Sequence, residues 1–246
     1  MPEILILESN PPQMVARGAS AAAPFLRSFA AIAPKAAITL AAPYAAPLDP
    51  ALLAAADGVV VTGSGVDWAV DAPQAAPLRA AMALVLDAGL PVWGSCNGMQ
   101  LAVLMLGGAV GASPNGREAG FARDMTIHAD HPMMAGRRPG FAAPCIHRDE
   151  VTRLPECMTL VAGNAHSPVQ AVATRSGPPV WGTQYHPECT PADIAAYLTA
   201  DGAHATASAL AGPLLRGELA GFGIDPRDAA LPRRAAELAA WIRLLA

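Results

Sequence analysis

The sequence has few charged and few aromatic side chains. Of its 246 residues, 15% are charged and 5% are aromatic, and the formal net charge is −4 with no run of basic residues. Proteins that bind nucleic acid or an anionic membrane surface usually carry a concentrated basic patch. We therefore expect neither nucleic acid nor a membrane among the partners of this chain.

Long apolar runs and cysteine pairs are also missing. No stretch approaches the roughly 18 apolar residues of a transmembrane helix. The first ten residues, MPEILILESN, hold an apolar run of only four, Ile4–Leu7, which predicts a first strand and not a signal peptide. The four cysteines form no C-x-x-C pair, and a chain of this length needs no disulfide framework. We expect a reduced, cytoplasmic protein.

Hydrophobic residues are plentiful, at 53% of the chain, and their pattern predicts an α/β fold. Up to residue 108, short apolar runs alternate with helical stripes, as in βαβ units with a parallel sheet. We expect a three-layer domain over residues 1–200, with a mostly parallel sheet flanked by helices, and a helical C-terminal extension over residues 201–246 packed on the same domain. Strands are predicted at Ile4–Leu7, Ala36–Leu40, Gly58–Thr62, Pro91–Trp93, Phe141–Val151, Met158–Ala162, Gln170–Thr174 and Pro178–Tyr185, and helices at about 19–32, 50–56, 74–88, 99–106, 192–199, 204–215 and 229–245.

The most informative stretch is PVWGSCNGMQLAVLMLGG, residues 91–108. It predicts a buried strand, a tight turn with Cys96 at its apex, and a helix. Gly94 and Gly98 remove side chains where the strand and the helix come close together. The thiol then lies at a helix N-terminus, where the helix dipole and free N–H groups favour the thiolate. This is the cysteine counterpart of a serine nucleophile elbow.

A nucleophilic thiol needs a base, and His186 is the best placed of the six histidines. It follows an apolar strand, at the end where a parallel sheet exposes its binding crevice. Glu188 lies two residues further along, and residues i and i+2 of an extended segment point the same way. The carboxylate can therefore orient the imidazole, and the three side chains suit nucleophilic acyl transfer.

Residues 94–100 (GSCNGMQ) and 182–188 (GTQYHPE) resemble the two signature segments of class I (triad) glutamine amidotransferases, and the GMP-synthase-like stand-alone domains most of all. The segments TGSG (62–65), REAG (117–120) and HRD (147–149) are similar to further family landmarks. The resemblance spans about residues 4–200. It implies the family's flavodoxin-like three-layer α/β fold.

The resemblance also implies a reaction. Cys96 attacks the side-chain amide of glutamine and forms a γ-glutamyl thioester, His186 transfers the protons, and Glu188 orients His186. The backbone N–H groups of Ser64 and Asn97 hold the oxyanion, and water releases glutamate. The implied substrate contacts are Gly63, Gln100, His147 and Asp149. No metal and no other cofactor is expected.

Three positions depart from the family pattern. Ser64 and Arg148 each replace a glycine, and Asn97 replaces a larger residue. Arg148 suggests a hypothesis, namely that its cation recruits the extra carboxylate of a γ-glutamyl peptide.

Several functions remain open at the level of sequence. The chain contains no P-loop and no room for a synthetase domain, so ammonia would pass to a separate synthetase or the enzyme would act alone as a γ-glutamyl peptidase or hydrolase. A catalytically idle binding or regulatory protein is the alternative outside enzymes, and the intact cysteine, histidine and glutamate argue against it. A chaperone- or protease-like relative is disfavoured by the placement of the HPE segment at a strand end. The oligomeric state does not follow from the sequence.

Overall fold

A computed structural model of the chain describes residues 1–200 and 205–245. The strands are β1 (Glu3–Leu7), β2 (Ala37–Ala41), β3 (Gly58–Val61), β4 (Val92–Ser95), β5 (Ala109–Ala112), β6 (Glu118–Ile127), β7 (Phe141–His147), β8 (Asp149–Arg153), β9 (Met158–Gly163), β10 (Ala171–Thr174) and β11 (Val180–Thr183). The α-helices are α1 (Pro12–Ala16), α2 (Ala23–Ile32), α3 (Pro50–Ala54), α4 (Ala76–Asp87), α5 (Asn97–Met105), α6 (Pro191–Ala200), α7 (Ala205–Leu215) and α8 (Ala236–Ile242). Short 3-10 helices cover Pro73–Ala75, Pro132–Met134, Leu219–Phe222 and Pro226–Asp228.

Nine strands form one sheet in the order β2-β1-β3-β4-β11-β10-β9-β6-β7. The first five strands in this order are parallel, and the remaining pairs are antiparallel. Strands β5 and β8 pair separately as a two-stranded sheet. The parallel half places the carboxyl ends of β3, β4 and β11 side by side, which is where ligands bind in such sheets.

The central strands β1, β3, β4 and β11 are buried on both faces, so apolar residues alternate between two cores. Ile4 and Ile6 of β1 belong to one cluster, which also contains Phe25 of α2. Leu5 and Leu7 belong to the other, on the side of α4 and α5. The predicted three-layer architecture is confirmed.

Residues 205–245 contribute to this packing. Leu238 and Trp241 of α8 are fully buried in the same cluster as Ile4. Helix α7 packs against α6. Residues 201–204 and 246, with His204 of the expected helix 204–215, lie outside the described residues.

Three helical boundaries differ from the sequence-based expectations. The helix expected over 19–32 begins only at Ala23, because the Glu8 carboxylate accepts hydrogen bonds from the backbone N–H groups of residues 21 and 22 and holds this stretch as a loop. The helix expected over 229–245 is reduced to α8, since Pro232 lacks the N–H that a helix interior needs. The helix expected over 50–56 begins at Pro50, where the Asp49 side chain caps its first turn, but it ends two residues early, at Ala54. Helix α1 and strands β5 and β6 were not predicted, and the strand expected over Phe141–Val151 is divided at Arg148 into β7 and β8. Among the described residues, no helix is long and apolar enough to cross a bilayer.

Candidate active site

The strand-turn-helix predicted around Cys96 is present. Cys96 lies between β4 and α5 with φ 48° and ψ −105°, a conformation that non-glycine residues rarely adopt and that occurs mostly at functional sites. Only glycine fits at position 98, because a Cβ there would lie 2.1 Å from the carbonyl oxygen of Val61 on β3. The close approach of α5 to the sheet therefore fixes the turn that carries the thiol.

His186 reaches this turn from the neighbouring strand. Strand β11 pairs in parallel with β4, and the Cys96 N–H donates to the carbonyl of Thr183 at 2.7 Å. A Cβ added to Gly63 would lie 2.8 Å from His186 Cε1 and 3.6 Å from Cys96 Cβ. The side chains of Cys96 and His186 therefore both lie against Gly63, which has no side chain of its own to come between them.

The two ring nitrogens of His186 have different surroundings. Nδ1 lies 2.7 Å from Oε1 of Glu188, whereas the buried Nε2 has no conventional hydrogen-bond partner among the described residues. Nε2 is therefore the nitrogen that can exchange a proton with the thiol or a substrate. Burial opposes a positive charge on His186, but the negative charge of the Glu188 carboxylate, aided by the nearby thiols of Cys189 and Cys96, outweighs it, and the pKa of His186 lies well above its usual value.

Cys189 is the other thiol near this imidazole. Burial, together with the negative charge of Glu188, raises the pKa of Cys189 to about 11. It therefore stays protonated at neutral pH, and a neutral thiol is a poor nucleophile. Cys189 therefore does not compete with Cys96 as the nucleophile.

The His186–Glu188 segment is braced from three directions. Ser95 Oγ donates to Glu188 Oε1 at 2.7 Å. Ser28 Oγ, on α2, donates to the backbone carbonyl of Glu188 at 3.0 Å. The buried Arg234 donates from Nη1 to the carbonyl of Pro187 at 2.6 Å and from Nη2 to Ser28 Oγ at 3.3 Å. The segment is held by α2 and by the chain just before α8 as well as by β4.

Cys96 opens into a cavity of about 330 Å³. The cavity walls carry Ser64 and Asn97, the residues predicted for the oxyanion site, together with Gly63, a predicted substrate contact. Asn97 is the first residue of α5, so its N–H has no acceptor within the helix. Other lining residues come from the end of β1, from the loop after β3 and from α6.

Ser64 keeps the loop after β3 attached to the end of β1. Its hydroxyl lies 2.9 Å from both the carbonyl oxygen of Ser9 and Oδ1 of Asn10, and the N–H of Gly65 donates to the same Asn10 oxygen at 2.9 Å. The serine that departs from the family pattern therefore fixes this loop through its side chain, and its backbone remains on the cavity wall.

The residues predicted to contact substrate all line the cavity, but several side chains are already engaged. Gln100 Nε2 donates to the Asp149 carbonyl at 2.7 Å and to Gln184 Oε1 at 3.0 Å. His147 Nδ1 lies 3.1 Å from the Asp149 carbonyl, and its Nε2 lies 3.0 Å from Oε2 of Glu118. Both ring nitrogens of His147 therefore face protein groups.

Glu118 is the centre of a buried polar cluster behind the cavity. Its carboxylate accepts hydrogen bonds from Nε2 of Gln170 at 2.6 Å and from Nδ2 of Asn164 at 2.7 Å, and Cys145 Sγ lies 3.7 Å from its Oε2. Burial alone would raise the pKa of Glu118, but hydrogen bonds from His147 and Asn164 lower it overall. Glu118, Cys145 and His147 lie close enough to hold a metal ion. The amide donors aimed at the carboxylate are nevertheless better suited to an anion without a metal.

Arg148 does not present a free cation to the cavity. Its Nε donates to Oδ1 of Asp149 and its Nη2 donates to Oδ2 of Asp149, both at 2.9 Å, and its Nη1 donates to the carbonyl of Asp67 at 2.8 Å. The neighbouring carboxylate offsets the positive charge that the carboxylate-recruiting hypothesis needs.

Sequence reasoning missed two side chains at the site, Ser95 and Gln184. Ser95 is the last residue of β4, directly before Cys96, and its contact with Glu188 joins two segments that are distant in sequence. Gln184 Nε2 lies 3.3 Å from Cys96 Sγ. The signal for Gln184 was available, because it precedes His186 by the same two-residue step that links His186 to Glu188.

Several known proteins are similar to this chain in sequence. A family model described as glutamine amidotransferase class-I matches residues 39–205. A Pseudomonas protein named gamma-glutamyl-L-1-hydroxyisopropylamide hydrolase is 36% identical over 153 residues, which is 59% of this chain and 52% of the relative. A glutamine-hydrolyzing GMP synthase of Thermomicrobium roseum is 36% identical over 132 residues, which is 53% of this chain and 23% of the relative. The chain thus spans about half or less of the length of these curated relatives.

Solved structures share the fold at low sequence identity. A glutamine amidotransferase from Thermotoga maritima superimposes with a TM-score of 0.65 at 18% identity, covering 99% of this chain and 97% of that one. A putative GMP synthase subunit from Thermoplasma acidophilum gives a TM-score of 0.63 at 22% identity, covering 77% of this chain and 85% of that one. These similarities support the mostly parallel sheet flanked by helices.

Proposed function

The chain belongs to the class-I glutamine amidotransferase family, and on that basis we propose that it hydrolyses the side-chain amide of glutamine or of a related γ-glutamyl compound. The observation that carries the proposal is the meeting of Cys96 with His186 beside Gly63, with Glu188 2.7 Å behind the imidazole. A nucleophile, a base and an orienting carboxylate in this order suit acyl transfer.

In the proposed reaction, His186 accepts the thiol proton and the Cys96 sulfur attacks the amide carbon, forming a C–S bond. The tetrahedral intermediate collapses as the C–N bond breaks, and His186 Nε2 returns the proton to the leaving nitrogen. His186 then takes a proton from water, and the resulting hydroxide attacks the thioester. The C–S bond breaks, glutamate leaves and the thiolate is regenerated.

We propose that the oxyanion is held by the backbone N–H groups of Ser64 and Asn97. The first belongs to the loop fixed by Asn10, and the second is the free N–H at the start of α5. Such donors stabilise the transition state by about 3 kcal/mol each. We further propose that the glutamyl part lies against Gly63, Gln100, His147 and Asp149.

The fate of the ammonia separates two versions of the proposal. A separate synthetase would accept it if the chain works as GMP-synthase-like relatives do, one of which is named as part of a synthase. Without such a partner the chain would be a glutaminase.

An N-substituted γ-glutamyl amide is a second candidate substrate. One relative is named as a hydrolase of such a compound, gamma-glutamyl-L-1-hydroxyisopropylamide. The cavity supports it, because apolar side chains of Met14, Val66 and Trp68 line the cavity together with the polar residues. An unsubstituted amide nitrogen needs no apolar wall, whereas an alkyl substituent gains from one.

The test is release of ammonia, amine and glutamate by the purified chain from glutamine, a γ-glutamyl alkylamide and a γ-glutamyl dipeptide, with Cys96→Ala as the control. Turnover of glutamine supports the leading proposal, and preference for the alkylamide supports the second. A rise in glutamine turnover only on addition of cell extract supports a partner. Failure to turn over any of them, or equal turnover by Cys96→Ala, would overturn the proposed function and favour an idle binding protein.

A further inference from the structure

We propose that Gln184 is an additional catalytic residue, whose side-chain amide donates a hydrogen bond to the Cys96 sulfur and stabilises it as a thiolate. The inference rests on the proposed function, in which this sulfur is the nucleophile. The contact is direct, with Gln184 Nε2 3.3 Å from Cys96 Sγ, and the Gln184 side chain is completely buried.

The direction of this hydrogen bond is fixed by a relay that begins at a backbone carbonyl. The Asp149 carbonyl can only accept, so the Gln100 atom 2.7 Å from it is the amide nitrogen. The same nitrogen has a second hydrogen, which it donates to Gln184 at 3.0 Å, so that the facing Gln184 atom is Oε1. The remaining Gln184 atom, Nε2, must therefore face the sulfur. Without the relay, the two ends of the Gln184 amide would be interchangeable.

The Gln184 N–H donor and the Ile146 carbonyl have opposite effects on the charge of the Cys96 sulfur. Cys96 Sγ also lies 3.8 Å from the carbonyl oxygen of Ile146, which can accept from a thiol but repels a thiolate. An N–H donor has the opposite preference, because hydrogen bonds to ionised acceptors are the stronger ones. Gln184 thus offsets Ile146, and it also fixes the position from which the sulfur attacks.

The relay connects two parts of the site. Its first residue, Asp149, lies on the substrate side of the cavity, and its last contact is the nucleophile. Both connecting side chains are nearly or fully buried, with Gln100 4% and Gln184 0% exposed. Water therefore has little opportunity to replace either amide.

The proposal is tested by the pH dependence of Cys96 alkylation by iodoacetamide, followed by mass spectrometry of the Cys96 peptide. Gln184→Met keeps the approximate size of the side chain and removes the donor. We expect the midpoint of the alkylation rate to rise by about one pH unit, which corresponds to a tenfold smaller thiolate fraction below the midpoint. With glutamine as substrate, kcat should fall by about tenfold while KM changes less than twofold.

Gln170→Met is the matched control. Gln170 is equally buried, and its amide is bonded to Glu118 and not to the sulfur. This variant should alkylate with the wild-type midpoint. Equal midpoints for Gln184→Met and the wild type would overturn the proposal, and equal shifts in both variants would do the same by showing a general packing effect.

A measurement on the wild-type chain covers the case in which Gln184→Met does not fold. The side-chain amide resonances of Gln184 should titrate with the midpoint of Cys96 alkylation, and Cys96→Ala should abolish that titration. Resonances that stay constant through the alkylation midpoint would refute the hydrogen bond. Because alkylation and NMR need no substrate, a correct thiolate contact remains detectable even if glutamine and γ-glutamyl amides are not turned over.

Discussion

Ser95 donates a 2.7 Å hydrogen bond to Glu188 Oε1, the carboxylate oxygen that also faces His186. Ser95 immediately precedes the proposed nucleophile, and its side chain is fully buried. One strand end therefore supplies both the sulfur, through Cys96, and a support for the group that orients its base. The position of His186 relative to the Cys96 sulfur therefore depends on two adjacent residues, Ser95 and Cys96.

Replacing Ser95 by alanine should lower kcat by about tenfold, because Glu188 loses one of the two groups that hold its carboxylate. The lost hydrogen bond also leaves more negative charge on the carboxylate, so the basic limb of the pH–rate profile should move to higher pH. The measurement is kcat against pH. Ser28→Ala is the control, since Ser28 contacts the backbone carbonyl of Glu188 and not its carboxylate. An identical response of the two variants would contradict the assigned role.

Glu188→Gln should lower kcat by a factor on the order of 10²–10⁴, the usual range for general acid–base catalysis. The Glu188 charge is the main cause that keeps the pKa of His186 high against the opposing effect of burial. In the variant this pKa should fall, and the basic limb of the pH–rate profile should move to lower pH. An unchanged basic limb would show that another group controls it.

The same pair predicts how stability depends on pH. The pKa of His186 is raised on folding, so its contribution to stability is fully present below about pH 6.5 and is lost as the pH rises through the folded-state pKa. The difference in unfolding free energy between the wild type and Glu188→Gln should therefore shrink with rising pH in urea titrations. Glu156→Gln, the same change on an exposed residue, should give a difference that does not vary with pH.

Gly98→Ala should destabilise the chain by at least about 3 kcal/mol, since the new Cβ would lie 2.1 Å from the backbone oxygen of Val61, which has no free rotation to escape it. The Cys96 turn would shift with it, and activity should be lost even in the folded fraction. Thermal unfolding and kcat test both effects. Gly221→Ala, where nothing lies within 4 Å, should change the unfolding free energy by less than about 0.5 kcal/mol.

Trp241→Ala tests our proposal that the C-terminal extension is part of the main domain. Trp241 is fully buried in the cluster that contains Ile4, so its removal should cost about 3–5 kcal/mol. Urea unfolding monitored by far-UV circular dichroism should show a single transition at a lower midpoint. Leu244→Ala, at a residue that is 47% exposed, should have little effect. Two separate transitions would indicate that the extension folds independently.

The parallel half of the sheet could be predicted from sequence because each strand there is a short apolar run followed by a turn. Gly58–Thr62 and Pro91–Trp93 are such runs, and β3 and β4 lie there. Helix ends were harder to predict because they depend on distant partners. The loop before α2 is held by Glu8, a long-range contact that no local pattern encodes.

Cys96 and His186 could be identified as candidate site residues from the sequence, because each lies within a local motif. The contacts of Gln184 and Ser95 depend on which strands are neighbours, and the pairing of β11 with β4 is not contained in either motif. Arg148 shows the reverse case. Its charge is visible in the sequence, but its pairing with Asp149 and its reach to Asp67 are visible only in three dimensions.

The contacts of Ser28 and Arg234 with the Pro187–Glu188 backbone bear on whether the site can be transplanted. A protein engineer who copied only the cysteine turn and the strand ending in His186 onto another scaffold would leave both supporting side chains behind. The smallest set of residues that must be transferred therefore includes Ser28 of α2 and Arg234 near the end of the chain, which are 206 residues apart in sequence.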